Sequence, residues 1–237
     1  MSDFVLALLL ATIGGLTIPA GGWLASHEHI RPKWLEQEFR HSVIAFGGGA
    51  LLAAVALVLV PRGVEDVPTA IALAAFAAGG LVFYVADKML QARGGSASQL
   101  MAMVLDYLPE SLALGAMLAM GEAAALLLAL LIALQNLPEG FNAFREIAAA
   151  NGIGNRRLLG FFCLLVLIGP AAASIGFALP ASAAPLLASV MLFSAGGILY
   201  LIFEDIAPQV RLQRHQAPAM GAVAGFLVGL AGHLVIG

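Results

Sequence analysis

Two short segments carry the groups best able to do chemistry, Asp106-Tyr107-Leu108-Pro109-Glu110 and Gln135-Asn136-Leu137-Pro138-Glu139. Both lie inside apolar runs long enough to cross a bilayer. A charged residue at the centre of a spanning helix costs at least ~2.5–3.5 kcal/mol, so acidic groups at such depth usually serve a pathway or a site. Residues four apart on a helix share a face. Asp106 and Glu110 therefore point the same way, as do Gln135 and Glu139, and Asn136 joins the second face. Each proline removes an N–H, which leaves the carbonyls of Leu105 and Leu134 without their helical partners. No Lys, Arg or His of these two spans faces the carboxylates from mid-membrane. The countercharge they need is a cation.

The elements that must position these groups are two antiparallel helices joined at Gly121-Glu122. At ~1.5 Å per residue, Asp106 lies roughly 22 Å from that turn and Gln135 roughly 20 Å, with Glu110 and Glu139 one turn to either side. The oxygens then form a ladder spanning roughly 10 Å of depth, a length suited to two neighbouring cations or to successive stations for one.

Composition agrees with this placement. Apolar residues make up 61% of the chain and charged residues 11%, against roughly a quarter charged in soluble domains, and mean hydropathy is +0.97. This excludes an ordinary soluble globular domain. A net charge of −3 without a basic stripe leaves nucleic-acid binding no electrostatic footprint. The single Cys163 has no internal disulfide partner and reads as a small core residue. Asp3 and the absence of Lys or Arg before the first apolar run argue against a cleaved signal peptide and for a retained first span.

The fold class expected is an all-α membrane protein forming a single domain over 1–237, with apolar runs near 3–26, 41–61, 66–90, 98–120, 123–146, 158–180, 185–207 and 217–236. Turn residues at Arg62-Gly63, Gly94-Gly95-Ser96, Gly121-Glu122 and Asn151 to Asn155 separate several of them. Arg31, Lys33, Arg40, Lys88, Arg93, Arg145, Arg156, Arg157, Arg211 and Arg214 all follow odd-numbered spans, and Arg62 alone does not. Because short cytoplasmic loops collect Lys and Arg, this pattern expects both termini outside. Phe46-Gly-Gly-Gly49 running to Pro61 is echoed by Phe193-Ser-Ala-Gly196 running to Pro208, an interval of 15 residues each time (61 − 46 and 208 − 193). The echo falls in spans two and seven, which cross in opposite directions. Inverted repeats of spans 1–3 and 6–8 around spans 4–5 are therefore expected.

With these features the chain resembles the ZIP family of divalent-metal transporters over nearly its whole length. The paired Pro-Glu segments, Gln135-Asn-Leu-Pro-Glu-Gly140 foremost, carry the resemblance. Further landmarks are Phe193-Ser-Ala-Gly-Gly197 with Glu204-Asp-Ile-Ala-Pro208, His41 to Pro61, and Phe83-Tyr-Val-Ala-Asp-Lys88. The resemblance implies mostly inward transport of Zn²⁺, Fe²⁺, Mn²⁺ or Cd²⁺ in a cytoplasmic membrane, with no resident cofactor. It implies Asp106, Glu110, Gln135, Asn136 and Glu139 as ligands, in a bundle whose transport part moves like an elevator. The segment Asp106-x-x-Pro-Glu-Ser111 resembles a variant branch of that family, and three positions depart from the usual pattern. Asp106 stands for the usual histidine, Tyr107 for the asparagine after it, and Gly169 for the glutamate many members carry before the span-six proline. An all-oxygen set shifts preference toward harder cations such as Mn²⁺, Mg²⁺ or Ca²⁺, although Zn²⁺ also accepts carboxylates.

Span seven offers Glu204 as an additional ligand, and Asp205 less readily, with a solvated interfacial pair as the plainer reading. His27, Glu28, His29 and His41 flank the first cytoplasmic loop, and His233 reads as interfacial. Asp87-Lys88 is a snorkelling pair or part of a cytoplasmic gate, while Asn142 and Arg145 follow Glu139 on the exit side. The competing reading is a non-transporting membrane metal sensor or regulator on the same bundle. An enzyme is not expected, since there is no His-Glu-x-x-His segment and no nucleophile-base pairing. The partners expected are divalent cations and the lipid bilayer. A homodimer, metal preference, the number of metals per site and proton coupling stay open.

Overall fold

The computed structural model describes residues 2–27, 33–91, 98–151, 153–210 and 217–236. Glu28, His29, Arg31, Arg93, Gly94 to Ser96, Gly152, Arg211 and Arg214 lie outside the described residues. Those described are helical apart from turns and short connections: α1 Asp3–His27, α2 Lys33–Ala54, α3 Thr69–Gln91, α4 Ser98–Ala119, α5 Ala124–Asn151, α6 Asn155–Leu165, α7 Ile168–Ala178, α8 Ala184–Leu201 and α9 Ala217–Ile236. α6 and α7 are one expected span, interrupted just before Pro170, which has no N–H to donate.

Among the described residues seven segments are long and apolar enough to cross a membrane: Asp3–His27, Glu38–Gly63, Thr69–Met89, Ala124–Ala149, Asn155–Ala178, Ala184–Ile206 and Ala217–Ile236. The eighth expected span, α4, has 22 residues and carries Asp106 and Glu110. Leu73, Leu164 and Leu234 turn 67%, 63% and 75% of their surface outward. Lipid is the solvent that makes such faces stable, and the architecture is that of an integral membrane protein.

Without a hydrophobic force between helices in lipid, close packing must come from small residues. Four helix pairs use glycine reciprocally, so that a Cβ on either glycine would strike a backbone carbonyl of the other helix. Gly21 faces Leu137 O and Gly140 faces Ile18 O, joining α1 to α5. Gly115 and Ala173 O, with Gly176 and Leu112 O, join α4 to α7 in the same way. Gly49 and Ala222 O, with Gly225 and Phe46 O, join α2 to α9; Gly79 and Phe193 O, with Gly196 and Phe76 O, join α3 to α8.

α2 and α8 also break regularity at matching places. Each passes into one turn of π-helix, Val55–Leu59 and Ile202–Ile206. Both lie 147 residues apart (202 − 55 and 206 − 59), the same interval that separates Pro61 from Pro208. A widened turn beside a proline accommodates a ring and a missing donor without ending the helix.

The α4–α5 turn is tightly fixed. Gly121 has φ +73°, Glu122 N–H donates to Met117 O at 3.0 Å, and Gly121 N–H donates to Leu118 O at 3.1 Å. This is a Schellman closure, in which glycine takes the left-handed conformation without a Cβ penalty.

Candidate functional site between α4 and α5

The tight turn sets the register of α4 against α5, and the register pairs the site residues in two rungs. Gln135 Nε2 donates to Glu110 Oε2 at 2.5 Å. One turn farther from the α4–α5 turn, the Asp106 carboxyl lies within side-chain hydrogen-bonding reach of Glu139. The charged groups facing Asp106 are Glu139 and Glu110. Two rungs one turn apart span ~6 Å of depth. The expected ladder is thus present but compressed, because Asp106 faces Glu139 and Gln135 faces Glu110.

Glu110, Gln135 and Asn136 have no exposed surface and Asp106 has 2%. Tyr107 N–H donates to Asp106 Oδ1 at 2.7 Å. Asn136 turns its donor to α1, where Nδ2 reaches Gly14 O at 3.1 Å. Glu110 Oε1, Gln135 Oε1, Asn136 Oδ1 and Glu139 Oε2 are all buried without a hydrogen-bond partner. A buried oxygen left unpartnered costs on the order of 1–3 kcal/mol, more if charged. Such a set fits a cation, whose bonds would replace the missing donors. Among the described residues no group of three or more His, Cys, Asp and Glu side chains could hold a metal ion. The donors are instead distributed over two mixed stations of carboxylate and carboxamide oxygen.

The Asp106–Glu139 rung opens into a cavity of about 40 Å³, lined also by Met103, Asn142 and Asp205 with Gly47, Pro138 and Leu201 among the rest. One water needs roughly 10–15 Å³ on this measure, so a few waters or a partly hydrated ion fit. Among the described residues no Lys, Arg or His lines it. On the other side of the Glu110–Gln135 rung, toward the turn, Leu114 and Leu131 are fully buried.

Span seven contributes differently from expectation. Asp205 lines the cavity, whereas Glu204 is exposed; the π turn over 202–206 sets which of these neighbours faces inward. Asp87 is buried and accepts a hydrogen bond from the Tyr200 hydroxyl at 3.0 Å, while Lys88 lies over the Tyr84 ring. Asn142 Nδ2 donates to Glu146 Oε1 at 3.3 Å and Arg145 lies over the Phe141 ring. His27 is exposed on α1 beside Ser26 and Trp23, away from the cavity. Cys163 is exposed and not a core residue, because α6 buries Phe162 and Leu165 and turns Cys163 outward.

Tyr107 and Gly169, two departures from the family pattern, share one place. The Tyr107 hydroxyl donates to Ala11 O at 3.0 Å, and a Cβ on Gly15 or Gly169 would overlap it. The phenol therefore requires glycine at 169 and fills the space a side chain there would occupy. Sequence reasoning missed this fit, and it missed Ser111, whose buried Oγ has no partner. Ser111 sits one residue from Glu110, off the face defined by four-residue spacing. Met103 and Tyr200 gave no sequence signal beyond apolar filling.

No family model matches the chain, and no curated protein is similar enough to it to count as a match.

Proposed function

We propose that the chain moves divalent cations across a cytoplasmic membrane, as the resemblance to the ZIP family suggests. The observation that carries this reading is the pair of buried rungs. Four carboxylate or carboxamide oxygens lack partners there, and among the described residues no basic side chain lines the cavity beside them. A carboxylate in such surroundings is neutralised by a cation or by a proton. Cations are the substrate in this reading, with Asp106, Glu110, Gln135 and Glu139 as successive ligands, Asn136 at their side, and Asp205 receiving the ion. Glu204 is outside the proposed path.

Several observations support inverted repeats. In the glycine contacts, α1–α5 corresponds to α7–α4, with offsets of 155 (176 − 21 and 173 − 18) and 25 (140 − 115 and 137 − 112). The α2–α9 contacts correspond likewise to α8–α3, and the matched π turns follow the same scheme. Ten of eleven Lys and Arg follow odd-numbered spans in the sequence, which in this reading puts both termini outside and turns the Asp106–Glu139 cavity to the cytoplasm. Inward transport is the direction that the resemblance implies.

The test is uptake of Zn²⁺, Cd²⁺, Mn²⁺, Fe²⁺ and Mg²⁺ into liposomes holding the purified protein, compared with the Glu110→Ala, Glu139→Ala double variant. Saturable uptake lost in the variant is the expected result; none above empty liposomes sinks the transporter reading. A sensor is the second reading, favoured by one observation: Tyr107 ties α4 to α1 and fills the cradle of Gly15 and Gly169 beside Asp106. A bundle locked in this way would bind a cation without moving it.

A further inference from the structure

Glu110 and Gln135 do more than sit near one another. The offset of 25 that relates the glycine contacts of α4 and α5 also relates these two residues (135 − 110). The same structural position therefore carries a carboxylate in one helix and a carboxamide in the other, and the two meet. Two glutamates meeting in a dry interior would need a shared proton or a bound cation to coexist. Glutamate against glutamine removes one of the two charges, and the amide N–H satisfies one oxygen of the carboxylate that remains.

The remaining oxygen of each group, Glu110 Oε1 and Gln135 Oε1, is buried and unpartnered. The terminal torsion of glutamine is broad and roughly two-fold, so a half-turn exchanges its nitrogen and oxygen at small cost. In one orientation the amide occupies Glu110 as a donor. In the other it frees both Glu110 oxygens and adds its own as a third ligand.

We propose that Gln135 is a positioning residue that alternates between these roles, donating to Glu110 when no cation is bound and presenting Oε1 when one arrives. This deepens the cation reading of the same site and rests on it. Its consequence is kinetic. The empty rung holds one carboxylate rather than two, with one of its oxygens hydrogen-bonded to Gln135, so the return step after release meets a smaller electrostatic penalty. An ordinary ligand at 135 would contribute only to the loaded state.

The experiment compares the full chain with Gln135→Met, which keeps length but loses both donor and acceptor, and with Gln135→Glu, which keeps shape but loses the donor. Binding of Zn²⁺ and Mn²⁺ is measured by equilibrium dialysis, uptake in liposomes, and ion-induced bands by difference infrared spectroscopy. In the unaltered chain each ion should shift a side-chain amide carbonyl band that Gln135→Met abolishes and a carboxylate band that Glu110→Gln abolishes. Gln135→Met should lower the maximal uptake rate by about tenfold or more, the worth of a hydrogen bond to a charged group, with a smaller change in half-saturation. Gln135→Glu should bind more tightly and turn over more slowly. Should Gln135→Met fail to fold, the isosteric Gln135→Glu carries the test. Weaker binding with unchanged maximal rate in the substituted chains would make Gln135 a plain ligand and overturn the proposal, as would the absence of an ion-induced amide band. Binding with these bands but without uptake would leave the alternation standing and overturn the transporter reading. Absence of Zn²⁺ and Mn²⁺ binding to the unaltered chain would overturn both.

Discussion

On the side of the Glu110–Gln135 rung away from the α4–α5 turn stand Asp106 and Glu139; on the side toward the turn stand Leu114 and Leu131, both fully buried. The offset of 25 matches Leu131 to Asp106 and Leu114 to Glu139 (131 − 106 and 139 − 114), so in the proposed repeat scheme the two ends would be alternative fillings of equivalent positions. The difference teaches that similar helix packing is compatible with opposite chemistry. Glycine-to-carbonyl contacts hold the helices, and the side chains between them are free to make one end wet and the other dry.

The most severe way to break the comparison is to put the rung where the leucines are. Leu114→Glu with Leu131→Asp should cost at least ~2.5–3.5 kcal/mol per charge, read as a large fall in thermal stability in detergent. If two facing carboxylates suffice to hold a cation, Mn²⁺ or Zn²⁺ should restore part of that loss. No recovery at saturating ion would show that carboxylates alone do not define the Asp106–Glu139 station.

A smaller effect sharpens the wet end. Asp205→Asn should slow cation uptake several-fold, whereas Glu204→Gln, on an exposed residue, should change it little. Equal effects of the two would mean that the π turn over 202–206 does not decide which carboxylate meets the cavity.

The smallest effect belongs to the dry end. Arg62, the one basic residue against the charge pattern, lies with Nε 3.2 Å from Glu122 Oε2 and NH1 3.1 Å from Glu65. Glu122 N–H is pinned by the α4–α5 turn, so this pair ties the segment after the Val55–Leu59 π turn to that turn. Burial raises the Glu122 carboxyl above the usual carboxylate range, with Arg62 opposing and Glu65 and Asp66 adding to the shift. A raised folded value means that the stability linked to this group is present at acid pH and declines as pH rises through that value. Glu122→Gln should therefore flatten the pH dependence of stability between weakly acid and neutral pH, by less than about 1 kcal/mol for a partly exposed pair. Urea titrations at several pH values would detect the change, and an unaltered pH profile would remove Glu122 from it.

Much of the fold is legible in the residues. Apolar runs placed the long helices close to where they occur among the described residues, seven of them long and apolar enough to cross a membrane, and polar residues at four-residue spacing marked the faces of α4 and α5 that meet. Two long elements were underestimated, since α2 begins at Lys33, ahead of the expected start near 41, and α5 continues to Asn151, beyond the expected end near 146. The site was harder. The Pro-Glu segments repeat at an interval of 29 (135 − 106 and 138 − 109), but the helix contacts repeat at 25. The difference is about one helical turn, and it is why Gln135 meets Glu110 and Asp106 meets Glu139. Sequence similarity between the segments points to the wrong partner because it compares residue types, whereas packing compares depths.

By itself the sequence determined that the chain is helical, apolar and built for lipid, and that acidic and amide oxygens lie at its centre, because hydropathy, length and helical period are local properties. The tertiary structure alone decided the register of the rungs, the choice of Asp205 over Glu204, the exposure of Cys163 and the fit of the Tyr107 hydroxyl against Gly15 and Gly169. Each of these depends on how closely two backbones approach, and that distance is set by glycines and π turns on elements far apart in the chain.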